Sequence, residues 1–163
     1  MIKETKIISA YPCCGKTYLT NNIKDIFYDS ETLPIILDSD SSKFSWIEKD
    51  GEKVRNPEFP NNYIEYIKQN IGKVDYILVS SHKIVREALA KNNIKFTIIV
   101  PETQYLTDWM IRMYNRNDED DFINTQIDNW DKWLREIDEE KNTYSKIIKI
   151  SKFEYLSDVI YEC

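Results

Sequence analysis

The chain has 163 residues and a formal net charge of −6 at pH 7, with a sequence pI of about 4.9. That length predicts a single domain over residues 1–163, with enough chain to bury a hydrophobic core. The acidic balance argues against DNA or RNA as the main partner, because nucleic-acid-binding proteins normally carry a basic surface.

The cysteine content and the hydrophobic runs indicate the compartment. The three cysteines, Cys13, Cys14 and Cys163, form neither a disulfide framework nor a zinc-ligand spacing. This usage is typical of a reducing cytosol. No run approaches the roughly 18 apolar residues of a membrane span, and the first residues lead straight into a predicted strand. We therefore expect a cytoplasmic protein without a membrane partner.

Residues 7–17 have the most informative pattern, Ile-Ile-Ser-Ala-Tyr-Pro-Cys-Cys-Gly-Lys-Thr. An apolar run ends, a turn-rich stretch follows, and a helical pattern begins, which is the strand–loop–helix context of a phosphate-binding P-loop. In such a loop the backbone N–H groups face an anion, the lysine reaches the β- and γ-phosphates, and the hydroxyl holds Mg²⁺. The predicted nucleotide-binding residues are Tyr11, Pro12, Cys13, Cys14, Gly15, Lys16 and Thr17.

The loop departs from the usual pattern at Ala10, where that pattern has glycine. Alanine restricts the backbone where glycine would be free, so we expect a constraint on the loop shape there. The alternative is an ordinary strand–turn–helix in which Lys16 is solvated.

Apolar runs and helical spacings alternate along the rest of the chain. Strands are predicted near residues 6–10, 33–38, 75–80, 96–101 and 147–150. Helices are predicted near residues 16–28, 63–71, 84–89, 105–113, 123–137 and 155–160, and an irregular or hairpin-like insert covers 45–60. The continuous apolar run at 33–38 predicts a strand buried on both faces. Alternation of this kind predicts a parallel sheet with right-handed crossovers and ligands beyond the carboxyl ends of its strands.

Asp38 and Asp40 follow the second predicted strand. If the extended geometry persists, both carboxylates point the same way. One could order Mg²⁺ through water, and the other could bind or deprotonate an acceptor hydroxyl. The alternative is local turn chemistry, which Asp and Ser favour. The residues after them would belong to an acceptor pocket, with two aromatic rings that are more often core: Ser41, Ser42, Lys43, Phe44 and Trp46.

Ser80, Ser81 and His82 follow the third strand, where many P-loop proteins have an aspartate that orients the metal. Its absence shifts the predicted metal ligands to Thr17 and Asp38. His82 is the only histidine. It could donate to a phosphate or a base, but a lone histidine is more often structural, and no Cys–His or Ser–His–Asp set accompanies this one.

Arg112 and Arg116 are four residues apart, so a helix would place them on one face. Transfer of a phosphoryl group needs positive charge on its oxygens in the transition state, which two arginines could supply. The alternative is surface charge paired with Asp108, Asp118 or Glu119. Arg86 and Arg55 are weaker candidates for binding the anion of an acceptor.

With these motifs the chain resembles small P-loop kinases of the nucleoside-monophosphate-kinase and shikimate-kinase type. The motifs are Gly15-Lys16-Thr17, Asp38-x-Asp40 and Arg112-x-x-x-Arg116, and the order of strands and helices agrees over nearly the full length. The loop also resembles that of compact phage-encoded kinase-like proteins. The implied fold is an α/β three-layer sandwich, a P-loop NTPase-like five-stranded parallel sheet of order 2-3-1-4-5 with helices on both faces. The implied acceptor-binding insert covers about 39–72, and the implied lid about 104–121.

The implied reaction is phosphoryl transfer from ATP·Mg²⁺ to a small acceptor, with a nucleoside or deoxynucleoside monophosphate favoured. Lys16, Asp38, Arg112 and Arg116 are the expected catalytic residues, and Thr17 and Asp38 the expected metal ligands. The expected substrate-binding residues are Asp38, Asp40, Ser42, Lys43, Phe44, Ser81, His82 and Arg86.

Two alternatives remain open at this level. One is a non-catalytic nucleotide-binding regulator or inhibitor with a degenerate kinase fold. The other is a polynucleotide 5′-kinase, against which the acidic charge argues. The chain could act as a monomer or as a homodimer.

Overall fold

A computed structural model describes residues 2–140 and 146–163. The strands of this part of the chain are β1 Lys6–Ala10, β2 Ile36–Asp38, β3 Trp46–Lys49, β4 Glu52–Arg55, β5 Tyr76–Ser80, β6 Thr97–Pro101 and β7 Lys146–Ile150. Its α-helices are α1 Lys16–Asn21, α2 Ile23–Ile26, α3 Ser42–Ser45, α4 Asn61–Asn70, α5 Lys83–Lys91, α6 Leu106–Asn115, α7 Asp120–Glu139 and α8 Leu156–Val159. Short 3₁₀ turns cover Thr103–Tyr105 and Ile160–Glu162.

Five strands form one parallel sheet in the order β2-β5-β1-β6-β7, flanked by helices. The predicted α/β class and five-stranded parallel sheet are therefore confirmed. The strand labels differ from the predicted 2-3-1-4-5, because that numbering did not include β3 and β4, which form a separate hairpin. Counted among the parallel strands alone, the neighbours are the second, third, first, fourth and fifth.

The core lies on the three central strands. Ile8, Ile77, Leu78, Ile98 and Ile99 have no exposed surface. Apolar side chains at successive positions of these strands are buried because helices cover the sheet, as is usual for parallel sheets. Full burial of each such side chain contributes about 1.5–3 kcal/mol.

The prediction of one continuous helix over 16–28 was wrong. Two short helices, α1 and α2, replace it, and Asn22 between them leaves the helical region with φ −125° and ψ 31°. The Asn22 side-chain amide donates to the carbonyl of Tyr18 at 2.8 Å. A side chain that bonds nearby backbone competes with helix continuation, which is the physical reason for the break.

The second predicted strand is shorter and more exposed than expected. Only Ile36–Asp38 pairs, as the last strand at one edge of the sheet, and Leu33 and Ile35 are 43% and 54% exposed. The carboxylate of Asp75 accepts the Ile35 N–H at 2.7 Å. This N–H therefore bonds a side chain and not a neighbouring strand, just before the paired residues begin. The prediction of burial on both faces was therefore wrong.

The insert between β2 and β5 contains a hairpin and a helix. Strands β3 and β4 pair antiparallel, and the turn residues Asp50 and Gly51 both have positive φ, 54° and 80°. That combination is the requirement of a two-residue type I′ turn. The hairpin-like version of the predicted insert is thus the observed one. Tyr63 on α4 donates its hydroxyl hydrogen to the Ser39 carbonyl at 2.8 Å, which ties the insert to the end of β2.

The remaining predicted helices occur within a few residues of their expected positions as α4, α5, α6, α7 and α8. The acceptor-binding role of 39–72 and the lid role of 104–121 stay predictions. Within residues 2–140 and 146–163, no helix has the length and apolar character needed to cross a bilayer.

Candidate functional site

Two adjoining cavities lie beyond the carboxyl ends of β1, β2 and β5. The smaller one, of about 360 Å³, is the loop cavity, bordered by Lys16, Thr17, Asp38, Ser80 and Arg116 among others. The larger one, of about 580 Å³, is the aromatic cavity, bordered by Tyr11, Trp46, Phe59, Gln126 and Trp133 among others.

The two cavities share a wall. The residues that border both are Pro12, Asp40, Ser41, Ser81, His82 and Phe122. The three polar clusters expected after the first three parallel strands therefore meet in one place. Volumes of this size are in the range of small-molecule sites.

The loop after β1 turns at two residues with left-handed backbone. Cys13 has φ 63° and Gly15 has φ 97°, whereas Ala10 is the last residue of β1 and pairs with Ser80 and Ile99. The constraint expected at Ala10 therefore has no consequence, because an extended residue does not need the freedom of glycine. A Cβ atom on Gly15 would lie 3.1 Å from Cδ1 of Tyr155.

Several backbone donors of the loop are free. The Tyr11 N–H donates to the Ile99 carbonyl at 2.9 Å, and the Cys14 N–H donates to the Tyr11 carbonyl at 3.2 Å. The N–H groups of Cys13, Gly15, Lys16 and Thr17 make no hydrogen bond within the part of the chain that the structure describes. Clustered backbone donors of this kind form a concave site for an anion.

Lys16 and Asp38 are two of the charged groups that border the loop cavity, together with Asp40 and Arg116. The Lys16 ammonium donates to the Ala10 carbonyl at 3.2 Å. Desolvation lowers the pKa of Lys16, against the raising effects of Cys14 and Asp38. Desolvation also raises the pKa of Asp38, against the lowering effect of Lys16. Each group therefore favours the charged form of the other across the cavity.

Thr17 and Asp38 are the residues available for a metal ion. Both border the loop cavity, and Thr17 is exposed at the start of α1. Magnesium binds through one or two carboxylates or hydroxyls, substrate phosphates and water. One hydroxyl and one carboxylate fit that pattern. Over residues 2–140 and 146–163, no group of three or more His, Cys, Asp or Glu side chains could hold a metal by itself.

Asp40 does not continue the extended geometry of β2. The strand ends at Asp38, and the Asp40 carboxylate accepts the Ser42 N–H at 2.9 Å. The turn alternative is therefore the observed one at Asp40, which nevertheless borders both cavities. Ser42 borders the aromatic cavity.

The structure brings neither Lys43 nor Phe44 to the two cavities. The Phe44 ring packs against Tyr63 and Tyr66, with centroids 5.1 and 5.0 Å apart. Because these two rings lie on α4 of the insert, Phe44 contributes to packing there. Trp46, the other aromatic residue named from the sequence, borders the aromatic cavity.

Ser81 and His82 lie on the shared wall. Desolvation, with the positive charges of Lys16, Arg86 and Arg55, lowers the pKa of His82. Arg86 is buried and donates to the Ser81 carbonyl and to the Glu140 carboxylate, the latter at 3.2 Å. Its observed contacts therefore support the loop after β5, although it also borders the aromatic cavity.

The two arginines on α6 and just after it have different surroundings. Arg112 donates to the carbonyls of Cys13, Lys152 and Glu154 at 2.8–3.1 Å. Its guanidinium lies between the rings of Trp109 and Tyr155, 4.0 and 3.9 Å from their centroids. Arg112 thus joins the loop to the segment after β7.

Arg116 borders the loop cavity and makes a two-point contact with Asp118, at 2.6 and 2.8 Å. Asp118 was one of the three partners named for the surface-charge alternative. Arg116 therefore borders the loop cavity with Lys16 and Thr17, whereas Arg112 borders, with the same two residues, a separate cavity on the Tyr155 side of the loop.

Tyr11 differs from the other predicted loop residues. Its side chain is 4% exposed and borders the aromatic cavity, edge-to-face with Trp130 at 5.8 Å between centroids. Cys13 and Cys14 border a third cavity of about 380 Å³ on the Tyr155 side of the loop. Burial raises the pKa of the Cys14 thiol to about 12 and also raises that of Cys13. All three cysteines are free.

Sequence reasoning missed the contribution of α7 to this site. Phe122, Gln126 and Trp133 border the aromatic cavity. Their spacings of four and seven residues place them on one helix face, beside the apolar stripe through Trp130. That second alignment was the available signal, and the polar Gln126 within it obscured the pattern.

Comparison with known proteins identifies no family. No protein-family model matches the chain, and no curated protein is significantly similar to it.

Proposed function

We propose that this protein is a cytoplasmic P-loop kinase that transfers the γ-phosphoryl group of ATP to a small acceptor, with a nucleoside or deoxynucleoside monophosphate favoured. The observation that supports this most is the contact between the loop cavity and the aromatic cavity along the wall at Asp40, Ser81 and His82. A kinase needs two ligand sites that meet where the phosphoryl group changes partner, and direct transfer requires the reacting atoms within about 3.5 Å.

The groups that a triphosphate needs lie around the loop cavity and the third cavity, both of which Lys16 and Thr17 border. The free N–H groups of Cys13, Gly15, Lys16 and Thr17 would donate to its oxygens. The Lys16 ammonium would exchange its bond to the Ala10 carbonyl for the β- and γ-phosphates. A bound Mg²⁺ would neutralise phosphate charge, with Thr17 and Asp38 as the protein groups beside it.

The chemistry of the step is simple if the acceptor is a phosphate monoester. One of its oxygens bonds to the γ-phosphorus, the bond from that phosphorus to the β–γ bridging oxygen breaks, and ADP leaves with that oxygen. The second pKa of a phosphate monoester is about 6, so the attacking oxygen is already deprotonated at neutral pH. Asp38 and Asp40 are then free to orient the metal and the acceptor.

Positive charge for the transition state would come from Lys16 and Arg116. Arg116 borders the loop cavity, and because its side chain is 49% exposed, a phosphate could replace its contact with Asp118. Arg112 would act through the loop, as a positioning residue, because its donors already bond three backbone carbonyls.

The test is acceptor-dependent formation of ADP. Wild-type protein with ATP, Mg²⁺ and a panel of monophosphates should produce ADP and a diphosphate. Lys16→Ala should lower the rate by about 100-fold or more, since it removes the positive charge that stabilises the transferring phosphoryl group. Lys24→Ala is the control, because Lys24 is exposed on α2 and borders neither cavity. Folded protein that forms no ADP with any acceptor would contradict the proposal.

A non-catalytic nucleotide-binding regulator is the second candidate. It is favoured by the engagement of both Arg112 and Arg116 in contacts within the protein. In that case ATP would raise the melting temperature without product, because ligand binding to the folded state alone shifts the unfolding equilibrium. Asp38→Ala would then leave the thermal shift largely intact, whereas a kinase would lose activity with this change.

A further inference from the structure

We infer that the aromatic cavity binds the base of a nucleotide acceptor and that Gln126 and Tyr11 recognise the polar edge of that base. This inference rests on the proposed function, because the bound nucleotide is an acceptor only if the protein transfers a phosphoryl group. It assigns to Gln126 and Tyr11 a role in substrate specificity that the sequence patterns did not indicate.

The walls of the cavity suit a flat, unsaturated ring. Trp46, Phe59, Phe122 and Trp133 all border it, from the insert on one side and from α7 on the other. The guanidinium of Arg55 lies 4.0 Å from the centroid of the Trp46 ring, which adds a planar cation to this wall. Bases stack on aromatic and guanidinium planes because every base has a π-face.

Two buried polar groups at this cavity have no partner. Gln126 and Tyr11 are each 4% exposed. The Gln126 Oε1 and the Tyr11 hydroxyl make no hydrogen bond within residues 2–140 and 146–163. Buried polar groups are nearly always hydrogen-bonded, so two unpaired ones beside a single cavity indicate a ligand that pairs with them.

The chemistry of these groups selects the ligand. A side-chain amide offers one acceptor and two donors in a plane, and a phenol offers one donor and an acceptor. A nucleobase presents neighbouring donors and acceptors on one planar edge, which an amide can match in pairs. A sugar or a small carbocyclic acid has hydroxyls in several directions and no π-face for four aromatic side chains. The cavity therefore favours a base-bearing acceptor over a carbohydrate-like one.

The orientation of the acceptor follows from the charges. Arg55, His82 and Lys83 border the same cavity, and Arg55 has no carboxylate within ion-pair distance in the described ranges. A base at Gln126 would direct its 5′-phosphate toward these groups and toward the shared wall at Asp40. The phosphate would then face the loop cavity, where the phosphoryl donor is proposed to bind.

The experiment measures acceptor binding without phosphoryl transfer. Lys16→Ala protein is titrated by calorimetry, in the absence of ATP, with AMP, GMP, CMP, UMP and dTMP. Ribose 5-phosphate and shikimate are titrated in parallel. We expect at least one monophosphate to bind about tenfold or more tightly than ribose 5-phosphate, from stacking and edge recognition. Equal affinity for ribose 5-phosphate and all five monophosphates would overturn the inference.

Two substitutions in the same background assign the recognition. Gln126→Leu should weaken binding of the preferred monophosphate about tenfold while leaving ribose 5-phosphate unchanged, and it should not lower the melting temperature. Gln126→Glu, which keeps an acceptor and loses the amide donors, should change the order of preference among bases. Gln104→Leu is the matched control, because Gln104 is exposed and borders neither cavity. Unchanged base preference in folded Gln126→Glu protein would contradict the role of Gln126.

The outcomes separate this inference from the proposed function. Base-dependent binding by Lys16→Ala protein, together with wild-type protein that forms no ADP, would retain the base site and overturn the kinase proposal. ADP formation with shikimate or ribose 5-phosphate, but with no monophosphate, would retain a kinase and overturn the base site.

Discussion

His82 gives a test of the electrostatics at the shared wall. Desolvation and the charges of Lys16, Arg86 and Arg55 lower its pKa below the ordinary value of 6.5. The unfolded chain then binds more protons than the folded protein between the folded pKa and 6.5. The free energy of unfolding should therefore fall as the pH decreases through that window.

We expect the only imidazole of the protein to titrate below pH 6.5 in an NMR titration of its Hε1 signal. His82→Gln should flatten the decrease of stability on the acidic side of 6.5, as measured by urea unfolding at several pH values. A titration midpoint at or above 6.5 would show that a nearby carboxylate dominates the environment of His82 instead.

Arg112 gives a test of how the loop is supported. Its guanidinium bonds three carbonyls and lies between two rings, so Arg112→Ala leaves the carbonyls of Cys13, Lys152 and Glu154 without this donor. Loss of charge-assisted hydrogen bonds and stacking should lower the free energy of unfolding by about 2–4 kcal/mol.

Urea unfolding measures this change directly, with Arg135→Ala as the control on an exposed position of α7. Arg112→Lys should recover only part of the loss, because an ammonium cannot bond three carbonyls in the same plane. Full stability of Arg112→Ala would mean that water replaces the guanidinium at no cost.

At the scale of elements, the loop between β1 and α1 depends on Gly15. Its φ of 97° disfavours any side chain, and a Cβ would also approach the Tyr155 ring at 3.1 Å. Gly15→Ala should lower the free energy of unfolding by about 2–4 kcal/mol and weaken nucleotide binding, because the backbone donors would move.

Gly51 is the matched control for the effect of a positive φ alone, without a side-chain contact. It has φ 80° in the hairpin turn, and a Cβ there would meet nothing within 4 Å. Gly51→Ala should cost about 1–2 kcal/mol and leave the ATP-induced thermal shift unchanged. If both substitutions had the same effects on stability and on binding, the contact with Tyr155 would not contribute.

At the scale of the whole molecule, the charge distribution opposes the net charge. The protein has a formal charge of −6, yet more cations than carboxylates border the two cavities: Lys16, Arg55, Lys83, Arg86 and Arg116 against Asp38, Asp40 and Glu136. A nucleotide therefore approaches an acidic protein but binds beside cations. Salt screens both contributions, and short-range attraction within the cavities should dominate.

We expect ATP affinity, measured by calorimetry at constant Mg²⁺, to fall about three- to tenfold when NaCl rises from about 0.05 to 0.5 M. An uncharged nucleoside is the control and should bind with little salt dependence. Affinity for ATP that rises with salt would indicate that the global negative charge, and not the local cations, governs binding.

Much of the order of strands and helices, and the position of the loop after β1, could be predicted from local sequence patterns. Apolar runs identify strands such as Thr97–Pro101, and Gly15-Lys16-Thr17 after a strand indicates an anion-binding turn. These features depend on neighbours in sequence, through hydrophobic periodicity and backbone freedom. The Asp50-Gly51 hairpin belongs to the same group, since its turn geometry is local.

The partners of the functional side chains depended on the tertiary structure. Nothing near Arg112 in sequence shows that it bonds carbonyls at Cys13 and Glu154 rather than a phosphate. Likewise Phe44 packs against Tyr63 and Gln126 borders a cavity, because α4 and α7 pack where the sheet order places them. Local patterns determine which residues form an element, whereas contacts across many residues of chain decide which side chains meet, and only packing specifies those contacts.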